Sequence, residues 1–242
     1  MKNKVKLDKI AKSYHLGNKL DDMHLENLNQ HYYGNWLLNF VKNKSVLEMG
    51  YGDGILTSHL ASSNNSDLNL IEGSKLLSKK AQKKHKNITV INEMFENFSP
   101  KKKYDLIIAS HILEHVDKPV EVLKKIKSWM HKKSLCIVHV PICTSYHRQL
   151  AVIMKLQKRL DALSKRDLLV GHKRVYSLET MKSDIKKARF KILKIQGFFL
   201  KFLPNSMMLN FPNELLIALN KITEDIDPAL CANASFIIKK KI

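Results

Sequence analysis

The chain has 242 residues, 44% of them hydrophobic and 26% charged, which suits one α/β domain with a buried core. It contains no apolar run near the roughly 20 residues of a membrane helix, no apolar stretch behind its basic start that would make a secretory signal, and no CxxC spacing among three cysteines. We therefore expect a cytoplasmic protein without a disulfide framework. The net charge of +20 comes almost wholly from lysine, which favours a solvated basic surface over an arginine-based polyanion site.

Five short apolar runs in the first part of the chain predict buried parallel strands. In chain order they cover residues 45–49, 68–71, 88–91, 104–110 and 135–140. Helical patterns separate them at residues 55–63, 75–84 and 119–130. Because strands alternate with helices, we predict a Rossmann-like, doubly wound α/β sheet that is mostly parallel and has helices on both faces.

The pattern changes after Pro141. Residues 149–169 have helical periodicity, and Ser177 is a good N-cap for a helix that runs to about Ala188. Prolines and asparagines mark residues 200–220 as an irregular insertion or lid. These segments predict helical cap and lid insertions on the basic sheet.

Two further strands are predicted at residues 190–196 and 234–239, the last of them antiparallel, and an aromatic-rich helical segment covers residues 31–38. We find no internal repeat and predict one domain over residues 1–242. Its predicted parts are an N-terminal helical cap at 1–42, a cofactor-binding half at 43–140, substrate-side insertions at 141–176 and 198–230, and closing helix and strands at 177–197 and 231–242.

Three glycines follow the first predicted strand and open the first predicted helix. Residues 48–54 read EMGYGDG, and glycine lets such a turn bring its backbone close to a ligand. The dinucleotide spacing GxGxxG is not met, because residue 55 is isoleucine. The pattern E-x-G-x-G-x-G resembles motif I of the class I S-adenosylmethionine-dependent methyltransferases, and the closer likeness is to bacterial members that modify sugars and other small molecules. The resemblance implies that this turn passes beneath the methionine part of the cofactor.

Glu72 ends the second predicted strand, 18 residues beyond Gly54. A carboxylate at this place can accept hydrogen bonds from a ribose diol, although a solvated acid is the alternative. In the family, the turn after the third strand packs on adenine, which implies that role for residues 92–95. The predicted cofactor-binding residues are Glu48, Gly50, Tyr51, Gly52, Gly54, Glu72, Gly73, Ser74, Glu93, Met94, Phe95, Ser110, His111 and Tyr32. We expect Tyr32, together with Tyr33, to close over the cofactor.

Two further segments support the same resemblance. Residues 104–116, YDLIIASHILEHV, resemble the fourth-strand segment in which hxxxLEHh recurs, and residues 171–176, GHKRVY, resemble a GHxRxY element of small-molecule members. The likeness implies that His111 points toward the substrate, while His115 begins the following helix and either contacts the site or caps it. The predicted substrate-binding residues are His147, Arg148, Arg174 and Tyr176, with Lys173 as a further candidate for holding a phosphate or carboxylate.

Methyl transfer to a hydroxyl needs an aligned lone pair and a base, and histidine suits the base because its pKa lies near neutrality. We predict His111, then His172, then His115 as catalytic, by their distance from the predicted strand ends. For any one of the chain's 11 histidines the alternative is a surface or structural role. The scattered acidic residues form no metal-ligand cluster in the sequence, so no metal is predicted and a metal requirement stays open.

The predicted function is methyl transfer from S-adenosylmethionine to an oxygen or nitrogen of a small molecule, such as a sugar, a nucleotide-linked sugar or another phosphorylated acceptor. An RNA methyltransferase is an alternative that the charge allows, but the chain has no visible RNA-binding module and no (D/N)PP(Y/F) element after the fourth strand. A non-catalytic binding protein of the same fold is a third option. The glycine spacing disfavours a dehydrogenase, and the sequence does not identify the acceptor or the oligomeric state.

Overall fold

Seven strands form one mixed sheet in the computed structural model, which describes residues 7–12, 22–63 and 67–241. The strands are β1 Val46–Met49, β2 Leu68–Ile71, β3 Thr89–Ile91, β4 Tyr104–Ser110, β5 Met130–Pro141, β6 Phe190–Phe198 and β7 Asn233–Lys240. Their order across the sheet is β3-β2-β1-β4-β5-β7-β6. The predicted doubly wound α/β architecture is confirmed.

The five strands from β1 to β5 run parallel, with β1 between β2 and β4. Every residue of β1 and β2 is buried, which is why these strands have continuous apolar runs and no alternation. The chain winds outward from β1 in one direction and then from β4 in the other. This reversal leaves a crevice at the carboxyl ends of the two strands, where ligands of such sheets bind.

The antiparallel strand is β7, as predicted, and it pairs with β5 on one side and β6 on the other. Its central residues are fully buried, and Phe236 lies opposite Val138 of β5 and Ile195 of β6. The last strand of the chain therefore lies inside the sheet, between two strands that precede it in the sequence.

Helices cover both faces of the sheet. They are α1 Met23–Val41, α2 Ile55–Ser62, α3 Lys75–Lys84, α4 Pro119–Ser128, α5 Tyr146–Ile153, α6 Lys165–Val170, α7 Leu178–Lys187 and α8 Asn213–Lys221. Buried residues of α1 and α2 share one apolar cluster with the sheet, and those of α4 and α7 share another. Ser177 caps α7 as predicted, accepting a hydrogen bond from the Thr180 N–H.

The predicted continuous helix over 149–169 is wrong. The helix α5 ends at Ile153, Lys155 adopts a left-handed backbone, and turns lead to α6. Ile153 and Leu156 are mostly exposed, so their helical spacing buries no apolar face and does not stabilise a long helix.

Two smaller predictions also differ from the structure. The segment 200–220, expected to be irregular, contains most of α8, whose Leu216 and Leu219 pack into a cluster with Leu25 of α1. His115, expected to begin a helix, lies in a turn before α4, because the helix begins only at Pro119. Proline is suited to a first helical position, since its missing N–H has no partner there anyway.

The three cysteines, Cys136, Cys143 and Cys231, are buried thiols in the structure. Within the described ranges, no helix combines the length and hydropathy that a bilayer span needs. The division of the chain into cap, cofactor half, insertions and closing elements stays a prediction, and part of the predicted cap, residues 1–6 and 13–21, lies outside the described residues.

Candidate functional site

A cavity of about 630 Å³ opens at the carboxyl ends of the parallel strands. This volume is typical of sites that enclose a small molecule. Its wall combines the turns after β1, β2, β3 and β4 with the end of β5, side chains from α1 and α5, and the segment 164–173. Residues 7–12 contribute Leu7, Ile10 and Ala11, so an N-terminal segment covers part of the opening.

The turn after β1 is built from glycines with left-handed backbones. The φ angles of Gly50, Gly52 and Gly54 are 81°, 51° and 81°, a region that disfavours residues with a Cβ. A Cβ on Gly50 would also lie 2.9 Å from the Ile112 side chain. The Gly50 N–H donates to the Ile71 carbonyl of β2 at 2.8 Å, which fixes the turn at the strand ends. Gly50, Tyr51 and Gly52 line the cavity, and Gly54 caps α2 outside it.

Glu72 follows β2 and is held by the glycine turn. Its carboxylate accepts the Tyr51 N–H at 2.8 Å and the Ser74 N–H at 2.6 Å. Glu72, Gly73 and Ser74 all line the cavity. A carboxylate has about four lone-pair sites, so it can accept hydrogen bonds from ligand hydroxyls as well as from backbone N–H groups.

Glu48 is a fully buried carboxyl group on β1 that also reaches the cavity wall. Burial raises its pKa to about 8; the hydrogen bond from the Thr57 hydroxyl at 3.0 Å opposes this shift, and the charge of Glu72 adds to it. One of its oxygens, Oε2, has no hydrogen-bond partner in the described part of the chain. The carboxyl group is therefore mostly protonated at pH 7.

Apolar side chains flank the next part of the cavity. Met94 and Phe95, from the turn after β3, line it beside Gly73, where a Cβ would lie 2.9 Å from the Met94 sulfur and 2.8 Å from Leu7. Glu93 does not line the cavity and accepts the Met94 N–H at 2.8 Å. Met94, Phe95 and Leu7 thus give this part of the wall an apolar surface, which suits a flat ring.

His111 lies just beyond β4 in a left-handed backbone conformation, with φ 53°. Such backbones are uncommon outside glycine and cluster at functional sites. Its Nδ1 is 2.9 Å from Oε1 of Glu114, and its side chain is 43% exposed toward the cavity. Burial lowers the pKa of His111, but the hydrogen bond and charge of Glu114 outweigh this, so the pKa is raised.

His115 and His172 lie next to each other, with ring centroids 4.7 Å apart, and both line the cavity. Asp167 accepts a hydrogen bond from Nδ1 of His172 at 2.9 Å. Gly171 ends α6 with φ 86°, which turns the chain so that His172 comes back over that helix. Burial lowers the pKa of His115 to about 4, so its ring is neutral at pH 7.

Of the four predicted substrate-binding residues, two line the cavity and two do not. His147 lines it, and burial lowers its pKa to about 2. Arg148 lines it as well, but its guanidinium pairs with the buried Asp167 at 2.7 Å and donates hydrogen bonds to the carbonyls of Leu160 and Ala162. Arg174 donates to the carbonyls of Leu113, Val116 and Asp117 instead of facing the cavity. Tyr176 is buried and contacts Asp184.

Tyr33, and not Tyr32, reaches the cavity from α1. Its ring stacks on His139 with centroids 4.0 Å apart, and its hydroxyl accepts the Ser110 hydroxyl at 3.0 Å. Tyr32 packs instead against Phe198, with centroids 6.5 Å apart. The spacing along α1 could have indicated that Tyr33 is the inward-facing tyrosine, because Tyr33, Leu37 and Val41 recur every four residues on the buried face.

His139 is a further cavity residue that sequence patterns missed. It sits in the apolar run of β5, where a lone polar residue gives little functional signal. Its Nδ1 lies 2.8 Å from the Ser235 hydroxyl, and burial keeps its pKa well below the ordinary value. Lys201, also missed, lines the cavity with its pKa lowered by burial.

The chain matches one protein family by sequence. Residues 24–195 fit the family described as methyltransferase domain. A comparison with curated proteins finds no match.

Solved structures share the fold at low identity. The structure of an S-adenosylmethionine-dependent methyltransferase from Mesorhizobium loti superposes with a TM-score of 0.62 at 13% identity, covering 89% of this chain and 100% of the other. A SAM-dependent methyltransferase from Archaeoglobus fulgidus gives 0.57 at 20% identity, covering 87% and 94%. The plantazolicin methyltransferase BamL, solved with a desmethylPZN analogue and SAH, gives 0.60 at 14% identity, covering 100% and 97%. At these identities the likeness concerns the fold.

Proposed function

Because the chain belongs to the methyltransferase domain family, within the class I S-adenosylmethionine-dependent superfamily, we propose that it methylates an oxygen or nitrogen of a small molecule. Its cofactor is S-adenosylmethionine, which supplies a methyl group activated on a sulfonium sulfur. One observation carries the proposal: the glycine turn, the Glu72 carboxylate and His111 line the same cavity. Binding groups and a candidate base thus face a common space.

The residues of the cofactor half fit this ligand. Glu72, already oriented by two backbone N–H groups, accepts the ribose hydroxyls. Gly50 and Gly52 let the methionine part approach the backbone, while Met94 and Phe95 flank the adenine. The other proposed contacts that line the cavity are Glu48, Tyr51, Gly73, Ser74, Ser110 and His111.

Three predicted cofactor contacts lie outside the cavity wall, namely Gly54, Glu93 and Tyr32. We assign them supporting roles: Gly54 begins α2, and a Cβ there would collide with the Tyr51 ring. Glu93 holds the Met94 N–H. Tyr33 takes the covering role expected of Tyr32, since it is the tyrosine of α1 that lines the cavity.

The acceptor half lies around His111. We assign His111 the role of the base that removes the acceptor's proton, because its side chain faces the cavity while Glu114 holds its Nδ1. A positioned base of this kind contributes about 10²–10⁴-fold to a rate. His115, His172 and His147 complete the wall of this half, and Arg148 supports it through Asp167. A compact acceptor, such as a sugar or a phosphorylated sugar, suits a cavity of this size.

The related proteins support small acceptors without fixing the one used here. One similar structure is named as mitomycin 7-O-methyltransferase and another as plantazolicin methyltransferase. An RNA acceptor remains the second candidate, and the net charge of +20 favours it. The two acceptors differ in salt dependence, because RNA binding by lysines weakens steeply as salt rises.

Calorimetry with S-adenosylhomocysteine tests the cofactor site. We expect the wild-type chain to bind it and Gly52→Val to lose binding, because valine at φ 51° is strained and its side chain would occupy the turn. His111→Ala should keep near-normal binding, because the proposed cofactor contact of His111 is made by its backbone, and should lose methyl transfer to extracted metabolites, measured with a methyl-labelled cofactor. Wild-type protein that binds no S-adenosylhomocysteine, or label that enters only RNA, would contradict the proposal.

A further inference from the structure

Three potential metal ligands converge on the acceptor side of the cavity. One carboxylate oxygen of Glu114 and one ring nitrogen each of His115 and His172 lie within 4.8 Å of one another. A tetrahedral zinc site has bonds of about 2.0–2.1 Å and so places its ligand atoms roughly 3.3 Å apart. Side-chain movements of at most about 1.5 Å would bring these three atoms to that spacing.

Glu114 carries an unsatisfied charge next to the two rings. Its side chain is completely buried, and Oε1 is paired with His111. Its other oxygen, Oε2, has no hydrogen-bond partner among the residues that the structure describes. Buried carboxylates are otherwise paired, hydrogen-bonded or bound to a metal ion. An orphaned oxygen beside two imidazoles is the environment that a cation would complete.

Two of the three side chains are positioned by hydrogen bonds outside the cluster. Asp167 accepts the Nδ1 proton of His172 at 2.9 Å, and Nδ1 of His111 lies 2.9 Å from Oε1 of Glu114. The other ring nitrogen of His172, Nε2, is thereby left for a further ligand. Metal-binding histidines almost always have such an outer partner, which fixes the tautomer and the ring orientation.

The two loops that carry the ligands are fastened together. The Lys173 N–H donates to the Glu114 carbonyl at 2.8 Å, and Arg174 donates to the carbonyls of Leu113 and Val116. Lys173 also pairs with Asp117, so His172 stays beside Glu114 and His115 although it follows His115 by 57 positions in the sequence. Preorganisation of this kind is what a binding site needs and what an accidental surface cluster lacks.

We propose that Glu114, His115 and His172 bind one divalent transition-metal ion, of the class of Zn²⁺, Co²⁺ or Fe²⁺, with at least one open coordination position facing the cavity. Two imidazoles and one carboxylate suit these ions better than Mg²⁺ or Ca²⁺, which prefer all-oxygen sites. Sites with three protein ligands keep an open position for water or substrate. Here that position takes an oxygen of the methyl acceptor, a role that rests on the proposed function.

Metal binding can be measured without cofactor or acceptor. The full chain, stripped with a chelator, is titrated with Co²⁺ while its visible absorption is followed, and with Zn²⁺ in a calorimeter. We expect one ion per chain, no competition from excess Mg²⁺, and affinity lowered by about a hundredfold or more in His172→Gln and in Glu114→Gln. His59→Gln is the matched control, because His59 pairs with His31 at 2.8 Å in another part of the molecule and should leave affinity unchanged.

Absence of binding in the wild-type chain overturns the proposal, and so does affinity that falls in His59→Gln but not in His172→Gln. Mg²⁺ competition overturns the assigned class of metal. If the variants fold poorly by circular dichroism, X-ray absorption of the wild-type Zn²⁺ adduct decides instead: two imidazoles in a nitrogen and oxygen shell near 2.0–2.1 Å are expected. S-adenosylhomocysteine calorimetry on the same sample separates this result from the proposed function, since either site can fail alone.

Discussion

The backbone N–H of Tyr51 donates a hydrogen bond to the Glu72 carboxylate across 2.8 Å, and this bond joins the glycine turn after β1 to the acid after β2. The Ser74 N–H donates to the second carboxylate oxygen at 2.6 Å. Hydrogen bonds to an ionised group are roughly twice as strong as neutral ones. The carboxylate is thus oriented before any ligand binds.

Replacing Glu72 by glutamine should weaken cofactor binding. The side chain keeps its size, but its NH₂ group must face a backbone N–H donor, either Tyr51 or Ser74. We expect the affinity for S-adenosylhomocysteine, measured by calorimetry, to fall at least about tenfold, or about 1.4 kcal/mol. Glu121→Gln, on the exposed face of α4, is the control. Equal affinities of Glu72→Gln and wild type would remove Glu72 from the site.

Replacing Glu48 by glutamine should stabilise the unliganded protein at high pH. Because the folded-state pKa of about 8 lies above the ordinary 4.5, the folded protein keeps a proton that the unfolded chain loses between these values. Wild-type stability therefore falls as pH rises through this window, and the non-ionisable variant escapes that loss. In urea titrations the two proteins should match near pH 4.5 and differ by on the order of a few kcal/mol at pH 8. A pH-independent difference would show that Glu48 is ionised throughout.

Tyr33 and Tyr32 offer a matched pair of substitutions on neighbouring residues. Tyr33→Phe removes the hydroxyl that accepts the Ser110 hydrogen bond in a buried position. We expect its free energy of unfolding to fall by about 1 kcal/mol, the usual contribution of one hydrogen bond. Tyr32→Phe should change it little. The opposite ranking in chemical denaturation would mean that α1 presents the other tyrosine to the cavity.

Arg148→Lys should loosen the segment between α5 and α6. The guanidinium contacts the carbonyls of Leu160 and Ala162 and the Asp167 carboxylate, and a single ammonium group cannot reproduce that fork. We expect faster chymotrypsin cleavage within residues 154–163, followed by mass spectrometry. Arg159→Lys is the control, because Arg159 is exposed in the same segment and pairs only with Asp161 among the contacts found for its guanidinium. Similar cleavage rates in the two variants would contradict a structural role for Arg148.

The sheet could be predicted from sequence because its signals are local. Continuous apolar runs such as residues 68–71 match buried parallel strands, and a glycine cluster after the first run marks the turn that begins α2. The segment 149–169 misled the same reasoning. Its leucines repeat at helical spacing, but Ile153 and Leu156 have no described surface to pack on, so periodicity alone did not produce a helix.

Which residues line the cavity after β1 and β2 was easier to predict than which line it around His111. Gly50, Gly52 and Glu72 are fixed by short-range rules of strand ends, whereas the roles of Arg148 and Arg174 depend on carbonyls that approach only in the folded chain. The proximity of Glu114 to His172 has the same origin. No spacing rule connects a strand-end turn with a helix end that far along the sequence, and the cluster became visible only in three dimensions.

The strand β7 follows β6 in the chain yet lies between β5 and β6 in the sheet. During synthesis β6 therefore leaves the ribosome before the strand that hydrogen-bonds to it has been made. Until residues 233–240 emerge, Phe190–Phe198 and the outer edge of β5 both expose unpaired backbone, which is the kind of edge that chains use to aggregate. The last strand thus covers both of these edges at once. A nascent chain arrested before residue 233 would expose both edges and would be open to aggregation.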